Sequence, residues 1–79
     1  MRLDKYLKVS RLIKRRTVAA EAASGGRVTI NGREAKPASA VKTGDILELR
    51  FGARLVRVEV ASVDERTRPG DSSTMYREL

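Results

Sequence analysis

The sequence contains no cysteine and no histidine among its 79 residues. Without cysteine the chain can form neither a disulfide nor a thiolate metal site. Without histidine it lacks the commonest metal ligand and the usual general base. We therefore expect no metal and no cofactor. An enzyme is the function class that the composition disfavours most, because no His or Cys is present to activate a nucleophile.

Aromatic and long apolar segments are also scarce. The aromatic residues are Tyr6, Phe51 and Tyr76, which offer little material for stacking nucleic-acid bases. No segment approaches the roughly 18 consecutive apolar residues that span a bilayer. The basic N-terminus is not followed by the apolar segment of a signal peptide. We therefore expect a cytoplasmic protein with no membrane partner.

Positive charge is what the chain has in excess, and it is concentrated at the N-terminus. The sequence has 17 basic and 10 acidic residues, which gives a net charge of +7. Six of those seven net charges lie within residues 1–16, where seven basic side chains accompany the single carboxylate of Asp4. This asymmetry indicates a basic face on an otherwise balanced domain, which is typical of a protein that binds nucleic acid.

Two short helices are predicted in this basic part. Leu3, Tyr6 and Leu7 recur at helical spacing, which predicts an amphipathic helix with an apolar inner face and a basic outer face. A turn is expected near residues 10–13, and a second helix over about residues 15–24, ended by the glycine pair at 25–26. The apolar stripe of the second helix is predicted to consist of Val18, Ala19, Ala22 and Ala23.

Three cations stand at the expected start of the second helix. Lys14, Arg15 and Arg16 oppose the helix dipole there, at a cost of a few tenths of a kcal/mol each. Three in a row at the unfavourable end indicate a role other than helix stability. The acidic Asp4 has two local interpretations, an ion pair with Lys8 one turn later or a cap of the first turn.

The next part of the chain alternates apolar and polar residues, as β-strands do. Val28–Ile30 and a weak return strand over residues 34–36 flank Asn31-Gly32, a strong signal for a type I′ hairpin. Residues 41–45 are expected to turn the chain into a strand over residues 46–51, and residues 55–63 form a further strand. These patterns predict an α+β chain. Cross-strand surface pairs are expected among Glu48, Arg50, Arg54, Arg57 and Glu59.

The length of the chain predicts one small domain. We place it at residues 1–63 and expect residues 64–79 to be a polar C-terminal tail, flexible over its Pro69-Gly70 part. The end of that tail, with Met75, Tyr76 and Leu79, is expected to dock on the body as a short helical turn.

Phosphate binding needs several cations on one rigid surface, because affinity depends on the number of phosphates neutralised. Arginine suits this role, since its planar fork holds phosphate bidentately. For Lys5 or Lys8 alone, a merely solvated helix face is an equally good interpretation. The predicted nucleic-acid-binding set comprises Arg2, Lys5, Lys8, Arg11, Lys14, Arg15 and Arg16, with Arg27 and Lys42 as neighbours.

Several motifs of the chain resemble the RNA-binding domain named after small-ribosomal-subunit protein four, the S4 domain. The resemblance covers roughly residues 1–60. The residues that carry it are Arg2-Leu3-Asp4-Lys5-Tyr6-Leu7, Ser10-Arg11, Arg16-Thr17, Ala20, Gly26-Arg27-Val28, Val41 and Gly44-Asp45-Ile46. Residues 1–17, the hairpin over residues 28–32, the turn over residues 41–45 and Arg50-Phe51-Gly52 further resemble the stand-alone bacterial S4 proteins of ribosome quality control.

The resemblance implies two N-terminal helices that pack on a small, bent, mostly antiparallel sheet and present the basic face. It implies a factor that binds the large ribosomal subunit with its stalled peptidyl-tRNA, and we expect this factor to be non-enzymatic and monomeric. Such factors contact ribosomal RNA and the P-site tRNA, and they work with the RqcH-type factor that adds alanine tails to the stalled chain. Arg2 and Arg16 would be the strongest RNA contacts, with Arg11, Lys14 and Arg15 beside them.

Two other binding functions stay open at this point. A heat-shock S4 protein also binds stalled large subunits, but it usually has a longer basic C-terminal extension than residues 64–79 provide. A DNA-binding helix-turn-helix protein would place the second helix in a major groove. That helix offers mainly alanines and valine, whereas base recognition needs polar side chains.

Overall fold

The computed structural model describes residues 1–63 and 75–79, which form two helices followed by five strands. The elements are α1 (Leu3–Val9), α2 (Arg16–Ser24), β1 (Val28–Ile30), β2 (Arg33–Glu34), β3 (Ile46–Phe51), β4 (Arg54–Val60) and β5 (Tyr76–Glu78). The strand order is β2-β1-β3-β4-β5, and each of these pairings is antiparallel. The predicted α+β fold, with two N-terminal helices on a small antiparallel sheet, is confirmed.

Helix α1 buries the apolar stripe that its spacing predicts. Leu3, Tyr6 and Leu7 are fully buried. The residue before the helix is Arg2, whose side chain makes no capping hydrogen bond. The first helical N–H groups are instead satisfied by the loop between β2 and β3, because Leu3 donates to the Ser39 carbonyl oxygen at 2.8 Å and Asp4 donates to that of Pro37 at 3.1 Å. The loop therefore holds the start of α1 against the sheet.

The turn between the two helices contains a strained residue. Arg11 has a φ of 64°, in the left-handed region that costs a non-glycine residue about 1–2 kcal/mol. Its N–H donates to the Lys8 carbonyl oxygen at 3.1 Å, and the N–H of Ile13 donates to that of Leu7 at 3.1 Å. The predicted turn near residues 10–13 is confirmed, and Arg11 occupies the position that glycine usually takes after a helix.

Helix α2 packs through small residues. Ala19, Ala22 and Ala23 are buried as predicted, whereas Val18 is 45% exposed. Val18 lies about 100° around the helix from Ala19, at the margin of the stripe, so its inclusion in the core was wrong. The alanine surface lets α2 approach its neighbours closely. Neither of the helices in the described ranges, residues 1–63 and 75–79, is long and apolar enough to cross a membrane.

The first hairpin has the backbone that Asn-Gly predicts. Asn31 and Gly32 both have positive φ, 53° and 82°, as a type I′ turn requires. The return strand β2 covers only residues 33–34, rather than residues 34–36. The Asn31 side chain joins this hairpin to the next turn, because it donates to Asp45 Oδ1 at 3.1 Å and accepts from the N–H of Ile46 at 2.9 Å.

The helices cover the inner face of the sheet, which carries Val28, Leu47, Leu49, Val58 and Val60. Phe51 lies on the same face, as its alternation with Leu47 and Leu49 predicts. It is nevertheless 40% exposed and lines a pocket with Arg11 and Leu12 of the turn between the helices. On the outer face, Arg57 Nε lies 3.9 Å from Glu48 Oε1, so one of the expected cross-strand pairs forms.

The C-terminal residues return to the sheet as a strand. Tyr76 pairs with Val60 and Glu78 pairs with Val58, and Met75 is fully buried. The Tyr6 hydroxyl donates to the Met75 carbonyl oxygen at 2.7 Å. The expected docking is confirmed for Met75 and Tyr76, whereas the Leu79 side chain is 56% exposed. The helical form predicted for Tyr76 was wrong, because Tyr76–Glu78 is a strand. The flexible part predicted around residues 69–70 lies outside the described residues, and the division at residue 63 stays a prediction.

Candidate nucleic-acid interface

Three of the predicted cations line one shallow groove of about 520 Å³. Arg2 precedes α1, Lys5 lies within α1, and Arg16 is the first residue of α2. The small residues Ala38 and Ala40, from the loop between β2 and β3, also line it. Arg2 and Ala40 form a backbone bridge, which holds this loop beside Arg2. We call this surface the N-terminal groove.

The carboxylate of Asp4 links the two arginines of the N-terminal groove. Asp4 is only 5% exposed. Its Oδ1 lies 3.3 Å from Arg2 Nε and 3.5 Å from Arg16 Nη2. Arg2 Nη2 also donates to Asp4 Oδ2 at 3.3 Å, and the N–H of Lys5 donates to Oδ1 at 2.8 Å. Asp4 thus pairs with Arg2 and Arg16. Of the two local interpretations predicted for it, the ion pair with Lys8 was wrong, and the bond from the Lys5 N–H is its contact within the first turn.

This arrangement orients the two guanidinium groups through one shared carboxylate. Among the described residues at the groove, Arg2, Lys5 and Arg16 carry three positive charges and Asp4 carries one negative charge. Each guanidinium has five N–H donors, and about half of each side chain remains exposed. The donors that Asp4 does not occupy are available for phosphate oxygens. Two arginines of fixed orientation suit bidentate recognition of phosphate.

The start of α2 adds to the positive potential. Arg15 is the residue before the helix and makes no side-chain capping bond, and the first turn carries no acidic residue. The helix dipole places positive charge at this end. Lys14, Arg15 and Arg16 are all exposed. The predicted conflict between these cations and the dipole is therefore present in the structure, and it favours an anion beside the beginning of α2.

The remaining predicted cations are exposed but lie away from the groove centre. Lys8 is in the last turn of α1, and Arg27 follows α2 at the end opposite Arg16, about 13 Å along the helix axis. Lys42 follows Val41, whose N–H donates to the Met1 carbonyl oxygen at 2.8 Å, but Lys42 does not line the groove. Arg11 lines a different pocket. The structure thus unites three of the nine residues.

Sequence reasoning missed the two alanines of the groove and the role of Asp4. Ala38 and Ala40 carry no chemical signal, and their loop is brought to α1 by backbone contacts, among them the bridge between Arg2 and Ala40 and the hydrogen bond from Leu3 to Ser39. Arg54 was expected in a surface pair across the strands. It lies on the inner face, opposite Phe51, and lines the pocket that Arg11 also lines.

Residues 1–47 match the S4 domain family. The chain is 57% identical over 76 residues to the RQC P-site tRNA stabilizing factor of Halalkalibacterium halodurans, covering 96% of this chain and 86% of that protein. Its identity to the factor of the same name from Bacillus subtilis is 55% over 76 residues, covering 96% of this chain and 88% of that protein.

A more distant similarity links the chain to heat shock protein 15. The Escherichia coli protein is 36% identical over 78 residues, which cover 99% of this chain and 59% of that protein. A trimeric structure of the Vibrio cholerae protein superposes with a TM-score of 0.90 at 32% identity, covering 100% of this chain and 81% of that chain. The match of residues 1–47 to the family, together with the identities of 57% and 55% to the two stabilizing factors, assigns the chain: it belongs to the S4 domain family and, within it, to the RQC P-site tRNA stabilizing factors.

Proposed function

We propose that this protein binds the large ribosomal subunit that carries a stalled peptidyl-tRNA. It contacts ribosomal RNA, stabilises the P-site tRNA and thereby supports alanine tailing by the RqcH-type factor. It acts in the cytoplasm, as a monomer, by binding and positioning rather than by catalysis. The name of its relatives, which are 51–57% identical to it, supports the tRNA-stabilising role.

The N-terminal groove is the observation that carries this proposal. Arg2, Lys5 and Arg16 converge there from two helices, and Asp4 orients both guanidinium groups. A phosphate backbone that enters the groove exchanges its counterions for these fixed cations. Lys14, Arg15 and Lys42 extend the contact at its margins, while Lys8, Arg11 and Arg27 contact RNA farther away. We propose Arg2 and Arg16 as the principal contacts.

Co-sedimentation with large subunits tests the proposal. Wild type should pellet with large subunits that carry peptidyl-tRNA more strongly than with empty ones. Arg16→Ala should weaken this association on the order of tenfold or more, because hydrogen bonds to charged groups contribute about 1.5–3 kcal/mol each. Arg57→Ala is the matched control, since it removes an equally charged exposed residue from the outer face of the sheet.

Equal pelleting of Arg16→Ala and wild type would overturn the assignment of the groove. Failure of wild type to pellet at moderate salt would overturn binding to the large subunit itself. Duplex DNA and structured RNA at matched salt should then be compared, because a helix-turn-helix protein would prefer the duplex DNA.

The structural similarity to heat shock protein 15 favours a second candidate, the recycling of stalled large subunits. A reconstituted alanine-tailing reaction distinguishes the two. Under the proposed function, added wild type increases tail synthesis by the RqcH-type factor, Arg57→Ala does the same, and Arg16→Ala does not. If wild type binds the subunit but leaves tail synthesis unchanged, the recycling role is favoured.

A further inference from the structure

A second pocket, of about 270 Å³, lies at the far end of the sheet. The β3–β4 hairpin contributes Phe51 and Arg54, which are opposite each other in the strand pairing. The turn between the helices contributes Arg11 and Leu12, and β5 contributes Tyr76 and Glu78. We call it the hairpin pocket. It combines two of the three aromatic residues in the chain with two arginines and one carboxylate.

The hairpin pocket exposes apolar surface that the helices could have covered. Phe51 is 40% exposed, although it lies on the inner face with fully buried Leu47 and nearly buried Leu49. An exposed aromatic side chain flanked by cations is poorly explained by packing, and it is a typical element of surfaces that bind unpaired nucleotides.

The backbone of Arg11 also favours a ligand at this place. Its φ of 64° is unfavourable for any side chain with a Cβ atom, and glycine would relieve the strain. The chain has arginine here instead, and this arginine lines the hairpin pocket. Strained residues of this kind cluster at functional sites, where the surrounding structure holds them.

We propose that the hairpin pocket binds an unstacked nucleobase of single-stranded RNA. Phe51 and Tyr76 supply the apolar surface on which the base stacks, and Arg11 and Arg54 bind the adjacent phosphates. Glu78 accepts a hydrogen bond from an N–H group on the edge of the base. The proposal rests on the proposed function, because it adds a base-binding contact to an RNA-binding protein. The two arginines favour RNA over an apolar peptide as the occupant.

The test uses short single-stranded RNA and an abasic oligonucleotide of equal length and charge. Binding to wild type should be on the order of tenfold tighter for the RNA with bases, since stacking on one aromatic contributes about 1–3 kcal/mol per base. Phe51→Ala should lose this preference and bind both oligonucleotides alike. Leu55→Ala is the matched control, because Leu55 is an exposed apolar residue in the same hairpin, 53% accessible, with its partner Arg50 on the outer face.

Salt dependence separates the base contact from the phosphate contacts. Phe51→Ala should lower affinity for the RNA without changing the slope of log affinity against log salt. Arg11→Gly should reduce that slope by about 0.7, the contribution of one phosphate of a single strand. The same variant should melt no lower than wild type, because glycine removes the backbone strain. Loss of binding together with unchanged or higher thermal stability would exclude misfolding as the cause.

Four outcomes decide the proposal. If Phe51→Ala loses the preference for bases and the control Leu55→Ala keeps it, the proposal is supported. If Phe51→Ala keeps that preference while Arg16→Ala loses large subunits, the hairpin pocket is not a base site and the proposed function stands. If Phe51→Ala keeps the preference for bases but binds subunits weakly, the pocket contacts a part of the subunit other than an unpaired base, and the proposal is overturned. If the preference is lost in Phe51→Ala while Arg16→Ala binds subunits normally, the pocket stands and the proposed function fails.

Discussion

At the scale of single residues, buried polar groups determine where the functional side chains point. Asp4 is a carboxylate that is nearly excluded from solvent, and two arginines and a backbone N–H satisfy it. Exposed ion pairs contribute only about 0–1 kcal/mol of stability, so the main effect of these contacts is on orientation. As a consequence, the side chains of Arg2 and Arg16 lie in the same groove, although 14 positions separate the two residues in the sequence.

Tyr6 provides a second buried polar contact, whose effect can be measured by pH. Its hydroxyl donates to the Met75 carbonyl oxygen at 2.7 Å. Burial, and to a smaller extent the nearby Tyr76, raises the pKa of Tyr6 above its ordinary value near 10. The folded state therefore favours the neutral hydroxyl. Its contribution to stability is complete below about pH 10 and is lost as pH rises through the raised pKa.

We expect Tyr6→Phe to lower the free energy of unfolding by about 1–3 kcal/mol at pH 7, because the Met75 carbonyl oxygen loses its buried partner. Urea denaturation at pH 7 and at steps up to pH 11 measures this change. Wild type should lose more stability than Tyr6→Phe above pH 10, and the two proteins should converge. Because every other residue is common to the two proteins, the difference between their stability curves isolates the contribution of the Tyr6 hydroxyl. Parallel stability curves would contradict a buried, neutral Tyr6 hydroxyl.

At the scale of secondary-structure elements, the close contact of the helices depends on small side chains. Ala19 and Ala23 are fully buried and Ala22 is 6% exposed. Local spacing was sufficient to predict these alanines as the inner face of α2. Local spacing could not predict that Val18 and Phe51 are exposed, because their exposure depends on how the neighbouring elements pack. The strand β5 was also missed, since three residues pair there only because the edge of β4 is present.

Ala22→Leu tests the close approach of α2. The larger side chain should overpack the core and lower the free energy of unfolding by about 1–3 kcal/mol, as measured by urea denaturation. The control is Glu21→Leu, which adds the same side chain on the exposed side of the same helix and should change stability by about 0.5 kcal/mol or less. Equal effects of the two substitutions would show that α2 does not pack closely at Ala22.

At the scale of the whole molecule, the fold displays its charge asymmetrically. The cations of residues 1–16 are carried by the helical layer, whereas the outer face of the sheet pairs Arg57 with Glu48 and Arg77 with Glu59. The sheet supports α1 through the loop that caps it. A polyanion should therefore approach from the helical side, and its affinity should depend strongly on salt.

If the helical side contacts about five phosphates, the slope of log affinity against log salt should be near −3.5 to −4.5, depending on the form of the RNA. Titration of a structured large-subunit RNA fragment at several salt concentrations measures it. Arg16→Ala should reduce the magnitude by about 0.7–0.9, and Arg57→Ala should leave it unchanged. A slope near zero would contradict phosphate binding by this surface.

The sequence by itself determined the features that depend on neighbours a few residues away. The spacing of Leu3, Tyr6 and Leu7 defines the inner face of α1, and Asn31-Gly32 defines the first hairpin, because helix period and turn conformation are local properties. The excess of basic residues at the N-terminus indicated a polyanion as partner. The motifs over residues 1–60 pointed to the S4 family, which the similar proteins confirm.

Only the tertiary structure decided which distant residues meet. Asp4 pairs with Arg16 rather than with Lys8, and Arg11 lines the same pocket as Phe51 and Tyr76. These contacts arise when the loop after β2 caps α1 and when β5 pairs with β4. The spacing of apolar residues along the sequence does not predict such long-range contacts. Each contact depends on the simultaneous packing of several elements around the shared core.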